Sequence, residues 1–225
     1  MQEYNVIKTE LTQKGIIVHK IAEGDELKTV HYSAVRCGLS WPSTEASGFY
    51  VILAEEYVDQ TRFEGQKRPR GKLRFLKERE HPSVFLDKLF VNLTDDCALF
   101  HCGTVYSDLD VTREKDAEFY REWTYEKKII HGKALEEAPY FDNFALGLSL
   151  IRRWVSDGLL ELPEDSITRK QLKNITKADV DTLPPARVHA INALRFVVAA
   201  YHKYPPGPFM PYTPTRKKRP RTSTW

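Results

Sequence analysis

A mixed α/β fold, one sheet flanked by helices, is what this chain of 225 residues predicts, and three features predict it. The first third carries apolar runs of strand length separated by polar turns. From residue 81 onward, apolar residues recur instead at helical steps of three and four. Strand-like and helix-like segments then alternate, which calls for right-handed crossovers returning to the same sheet.

Taken in order, 1–30 is mixed, with a strand expected at 15–21 and a turn where Glu23-Gly24-Asp25 supplies the chemistry. AVRCGLSW (34–41) reads as a strand, and PSTEASG (42–48) as the polar turn after it. GFYVILAEEYVD (48–59) is apolar almost throughout, which suits a central strand buried on both faces. A charged loop follows over 59–71, and KLRFLKERE (72–80) alternates as a third strand leaving the core. Three strands joined by short or polar links make an antiparallel meander.

HPSVFLDKLFVNL (81–93) opens with Pro82 at a first-turn position and continues at helical spacing. HCGTVYSDLD (101–110) is a strand, expected parallel to 34–41, that runs out into acidic residues. TREKDAEFYREW (112–123) is an amphipathic helix and EKKIIHGKA (126–134) a short strand. Phe141, Phe144, Leu148, Ile151 and Val155 mark one face of a further helix, ended by Asp157-Gly158. SITRKQLKNI (166–175) is a short helix, and PPARVHAINALRFVVAAYHKY (184–204) is the longest. The last stretch, 205–225, holds six prolines and no periodicity, the composition of a disordered or docked tail. The expected organisation is an arm or extra strand over 1–30, a mixed-sheet domain over 31–204 and a Pro-rich basic tail.

Apolar residues make up 41%, enough for a sizeable core, and 29% are charged, as in soluble proteins. No apolar run approaches the roughly 18 residues of a membrane span, and MQEYNVIKTE lacks a signal peptide's apolar centre, so no membrane partner is expected. Three sparse cysteines, Cys37, Cys97 and Cys102, read as reduced thiols of a cytoplasmic protein. Cys97, His101 and Cys102 lack the paired spacing of a zinc site and read as core. The net charge of +3 is unevenly spread. Arg216, Lys217, Lys218, Arg219 and Arg221 sit in an acid-free tail, and the remainder has 29 basic against 31 acidic side chains, net −2. Such a cationic run can track phosphates, as in salt-dependent binding of DNA, or can serve localisation or solubility.

Four segments, in order, resemble the nuclease domain of phage terminase large subunits, which has the ribonuclease H-like fold. RCGLSWPSTEASGFYVILAEEY is similar to that family's first hairpin, which reads G-x-D-x-G before an apolar strand. TVYSDLD resembles its fourth strand, with Asp108 at the family's acidic position. ALGLSLIRRWVSDGLLELPED resembles its helix and return, and VHAINALRF its terminal motif D-H-A-x-D-A-L-R-Y. The resemblance covers about 34–204 and implies a mixed sheet of three antiparallel strands followed by strand–helix–strand. It also implies a DNA partner, Mg²⁺ or Mn²⁺ if the site is active, and a host-cell cytoplasmic location if the chain is phage-encoded. No G-x-x-x-x-G-K-[ST] loop is present, so a packaging ATPase would be a separate partner.

The departures bear on chemistry. The first-strand aspartate of the family falls on Ser40, and its two helix acids fall on Val188 and Asn192. Two-metal hydrolysis needs three or four carboxylates around two dications about 3.5–4 Å apart. Neutral Ser40 and Asn192 cannot offset a dication's charge, and Val188 has no donor atom. Asp108 is the one metal ligand left in place. Asp110 would share its face if the strand continued, and Glu45, Glu55, Glu56 and His189 are further candidates to refill the site. Each also has an ordinary reading, as surface acid, helix cap or packed histidine. Three functions stay open: DNA binding with cleavage weak or absent, an active endonuclease built on Asp108 and neighbouring acids, or a non-catalytic structural or adaptor protein.

Overall fold

A computed structural model describes residues 5–13, 15–23, 26–42, 47–59, 70–81, 86–108, 134–176 and 188–205. Its strands are β1 (Asn5–Leu11), β2 (Ile17–Glu23), β3 (Glu26–Ser40), β4 (Gly48–Glu56), β5 (Leu73–His81), β6 (Thr104–Ser107), β7 (Ala134–Glu137) and β8 (Leu160–Glu161). Its helices are α1 (Leu86–Leu99), α2 (Phe144–Ser156), α3 (Ile167–Asn174) and α4 (His189–Lys203).

All eight strands belong to one mixed sheet. β3, β4 and β5 form the expected antiparallel set, with Ser40 opposite Phe49 and Phe49 opposite Glu80. β6 lies parallel to β3, pairing Arg36 with Thr104 and Leu39 with Ser107. β7 adds parallel to β6, and β8 parallel to β5. Residue 30 lies inside β3, whose first half pairs with β2, which in turn carries β1. That ribbon is mostly exposed on one face, so the apolar pattern there is weak and the sequence announced only its middle strand.

Period two explains the two cores. Along β4, Phe49, Val51 and Leu53 face α2 and α4, while Tyr50, Ile52 and Ala54 face α1. The near-continuous apolar run is therefore the central strand of a three-layer arrangement. α1 starts beyond the described start of its sequence signal and continues to Leu99, and β6 stops at Ser107, short of the expected 110. The helix expected over 112–123 and nearly all of the strand expected over 126–134 lie outside the described residues. α2 buries Leu148, Ile151 and Trp154, but Val155, expected on the same face, is exposed. α3 is capped twice: Ser166 Oγ accepts from Arg169 N at 3.0 Å, and Glu78 accepts from Ile167 N at 2.7 Å.

The ribbon is tied to the end of α1. Thr9 Oγ1 donates to Leu99 O at 2.6 Å, and fully buried His19 lies 3.0 Å from Phe100 O through Nε2. Burial holds the His19 pKa below its ordinary value, opposed by the Phe100 bond and reinforced by His101. A depressed folded-state pKa means the stabilisation is present above about 6.5 and lost as pH falls below that value. Urea melts at pH 7.5 and 5.5 should show a stability loss in acid that His19→Gln reduces. An equal loss in both proteins would show that other groups carry it, among them His202, whose pKa burial also lowers.

Candidate active-site crevice

The long helix sets the geometry. A Cβ on Gly38 would lie 1.9 Å from Ala193 O and 3.1 Å from Val197 N, so α4 rests on the bare backbone of β3. At the other end of the contact, Arg36 Nη1 donates to Ala200 O at 3.0 Å, and the Tyr201 hydroxyl lies 3.1 Å from Ala34 O. α4 thus runs antiparallel to β3, with its first turns over the Ser40 end. Ser40 is two residues past Gly38 and leaves the same face.

A row of side chains crosses the sheet beneath those turns. Ser40, Phe49 and Glu80 are in register on neighbouring strands. Asp108 follows Ser107, the partner of Leu39, and so stands at the level of Ser40. Above the row, the His189 ring meets Phe49 edge-on at 5.3 Å, and its Nε2 lies 3.3 Å from Glu80 Oε1. Asp108, Ser40, His189 and Asn192 are therefore gathered at one end of the fold. Ser40, His189 and Asn192 are nearly buried there, while Asp108 is partly exposed.

Arg195 decides what the gathering can do. One turn beyond Asn192, its Nε donates to Asn192 Oδ1 at 2.9 Å. Nη1 donates to Tyr140 O at 3.2 Å and Nη2 to Phe141 O at 2.5 Å. The guanidinium also stacks 4.5 Å from the Phe196 ring centre. Burial lowers its pKa to about 10, opposed by the charges of Asp108 and Asp142, so it stays a cation at neutral pH. It also fixes the backbone at Tyr140, a non-glycine residue at φ 58°. Asn192 is thereby spent as an acceptor for a cation, and Asp108 answers part of that cation's charge.

Val188, at the other aligned acid position, is buried in the core and makes no side-chain cap on α4. The cap comes from α3 instead: Gln171 Oε1 accepts from Ala190 N at 3.1 Å and from Ile191 N at 3.4 Å. Glu55 and Glu56, candidates to refill the site, are excluded by position. They sit at the far end of β4 from Phe49, where Glu55 accepts from Gly71 N and Glu56 pairs with Arg74. Asp110, Glu45 and the cationic tail residues Arg216, Lys217, Lys218, Arg219 and Arg221 lie outside the described residues. The three cysteines are buried and form no disulfide, in keeping with a core role.

Two residues of the crevice escaped the sequence reading. Arg195 carried a signal, since its i+3 spacing from Asn192 puts the pair on one helix face. Glu80 carried almost none, because only the register shows it across from Phe49 and under His189. Among the described residues no three His, Cys, Asp or Glu side chains are placed to hold a metal ion. Neutral Ser40 and Asn192, the latter already bonded to the Arg195 guanidinium, do not fit a two-metal centre.

The core strands run in the order β5-β4-β3-β6-β7, with only β4 reversed relative to β3, β5, β6 and β7. This is the ribonuclease H-like fold. The chain is similar to the large terminase nuclease of thermophilic phage G20c, solved with zinc, at 12% identity and TM-score 0.47 over 90% of this chain and 95% of that one. It is similar also to the large terminase nuclease domain of bacteriophage SPP1, solved with manganese, at 15% identity and TM-score 0.46 over 76% and 86%. A fowlpox virus Holliday junction resolvase matches at 8% identity and TM-score 0.37 over 75% and 98%. No protein-family model and no curated protein matches the sequence. No helix among the described residues is long and apolar enough to cross a membrane.

Proposed function

We propose that this chain is a terminase-nuclease-like DNA-binding protein of viral DNA packaging whose crevice does not assemble a two-metal centre. The observation that carries the reading is the hydrogen bond from Arg195 Nε to Asn192 Oδ1, at one of the aligned acid positions. A side-chain cation held by three hydrogen bonds supplies positive charge where a nuclease of this fold would recruit dications. The crevice keeps the packing of the fold, since α4, Gly38 and the row from Asp108 to Glu80 are in place, and among the described residues it gathers no three His, Cys, Asp or Glu side chains about a metal position. DNA affinity then comes from lysines and arginines meeting phosphates, which needs no divalent ion.

The test is a DNA-binding titration with and without chelator, run beside a plasmid-nicking assay in Mg²⁺ and in Mn²⁺. Affinity should fall with rising salt, ignore the chelator and be accompanied by no nicking. Robust nicking that Asp108→Asn abolishes would establish an active endonuclease instead. Absence of DNA binding at low salt would leave the fold as a scaffold for protein partners.

A further inference from the structure

The end of α4 opposite the crevice is ringed by cations and aromatic rings. Arg70 Nη2 donates to His202 O at 3.2 Å, its Nη1 lies 3.5 Å from His202 Nδ1, and its guanidinium stacks 5.2 Å from Trp154. Lys203 Nζ lies 5.6 Å from the Tyr140 ring centre and 5.4 Å from that of Tyr204. Arg153 projects beside them, 73% exposed. Arg36, one strand over, is sandwiched against Tyr201 at 4.6 Å and donates to Ala200 O.

Part of this collar is ordinary helix chemistry. Arg36 and Arg70 satisfy carbonyls of the last turn, where positive charge also suits the helix dipole. That account leaves Arg153 and Lys203 unexplained. Neither donates to a helix-end carbonyl in this structure, and both project from exposed positions. The acids nearby offset little. Asp157 lies 3.6 Å from Arg153 across an exposed pair, Glu56 is taken by Arg74, and Glu136 faces Tyr106. His202 registers the surplus: after burial, the causes lowering its proton affinity are the charges of Arg70 and Arg153.

We infer that Arg70, Arg153, His202 and Lys203 form a second surface, which binds the sugar–phosphate backbone of DNA. An anionic backbone offsets the positive charges of Arg70, Arg153 and Lys203, and exposed Tyr140 and Tyr204 give sugars and bases a flat apolar contact. The chain continues from this same end toward its basic run, which starts eleven residues after Pro205. Covalent geometry lets that run reach at most about 40 Å from the surface, so both can engage one strand. α4 rises about 1.5 Å per residue, which puts Lys203 about 16 Å along the helix from Asn192.

The inference rests on the DNA-binding reading, and the experiment separates the two. Duplex and single-stranded oligonucleotides are titrated at several salt concentrations with the full chain, with Arg153→Gln/Lys203→Gln, and with Lys8→Gln/Lys20→Gln on the distant β1–β2 ribbon. Both double variants replace exposed or half-exposed side chains outside the two cores, and a thermal melt verifies their folding. The Arg153/Lys203 variant should lower the slope of log K against log salt by about 2 and weaken low-salt binding about tenfold, while the ribbon variant changes neither. A full-chain slope retained in the Arg153/Lys203 variant, or an equal loss in the ribbon variant, would overturn the surface and leave the DNA-binding reading intact. Binding lost on deleting 213–225, with no effect of Arg153→Gln/Lys203→Gln, would assign the affinity to the tail alone and likewise overturn it. No binding by the full chain at low salt would defeat both.

Discussion

Gly38→Ala should destabilise the protein by about 3 kcal/mol or more, because the new methyl has no room and nothing flexible to displace. Its nearest neighbours, Ala193 O at 1.9 Å, Ala193 C at 3.0 Å and Val197 N at 3.1 Å, are all helix backbone. Relief requires α4 to lift from β3, which would disturb the packing of Phe196, Val197 and Ala200 together. For a domain of this size the change amounts to a drop of roughly 6–12 °C in melting temperature. Gly103→Ala is the control, since a Cβ there meets nothing within 4 Å. Equal melting temperatures for Gly38→Ala and the parent would mean that α4 does not lie on β3 at this point, and the crevice geometry would fall with it.

The sequence disclosed those parts of the fold in which period and burial agree. β4 was legible because both faces are buried and the run is apolar throughout; α2 was legible from its apolar face, and α4 from a long apolar stretch that is buried almost all round. The N-terminal ribbon was only partly legible. Ile7, Leu11 and Leu27 are apolar and exposed, so the alternation that marks a half-buried strand is scrambled there. Of the candidate positions, Ser40 and Asp108 stand at the ends of neighbouring strands of the sheet, and His189 and Asn192 lie in the first turns of the helix above. The chemistry of the crevice was not legible, for a reason of sequence distance. Arg195 binds the carbonyls of Tyr140 and Phe141, more than fifty positions earlier, and Glu80 meets His189 only across the sheet. Pairings of that kind follow from register and helix placement, and a single sequence shows neither.

The second large effect concerns metal. Ser40→Asp and Asn192→Asp together should raise binding of Mn²⁺ and, with it, cleavage of plasmid DNA above that of the parent. The two carboxylates would join Asp108 at the same end of the sheet and supply both ligands and negative charge. Each single replacement should do much less, because one added acid is shared with the guanidinium of Arg195, and two-metal sites act as a unit. Asn192→Asp alone should form an ion pair with Arg195 Nε, where Asn192 Oδ1 now accepts at 2.9 Å. Cleavage gained by the double variant should vanish when Asp108→Asn is added. A double variant that folds, binds DNA and still takes up no metal would show that these positions do not converge.

The most direct measurement is a titration of the unmodified protein with Mn²⁺, followed by the loss of the free ion's paramagnetic resonance signal. A crevice occupied by Arg195, with Asp108 as its one aligned carboxylate, should leave the signal near that of buffer through millimolar protein, with no difference between the parent and Asp108→Asn. Stoichiometric uptake at micromolar concentration, lost in Asp108→Asn, would contradict the account and place a working metal centre in the crevice.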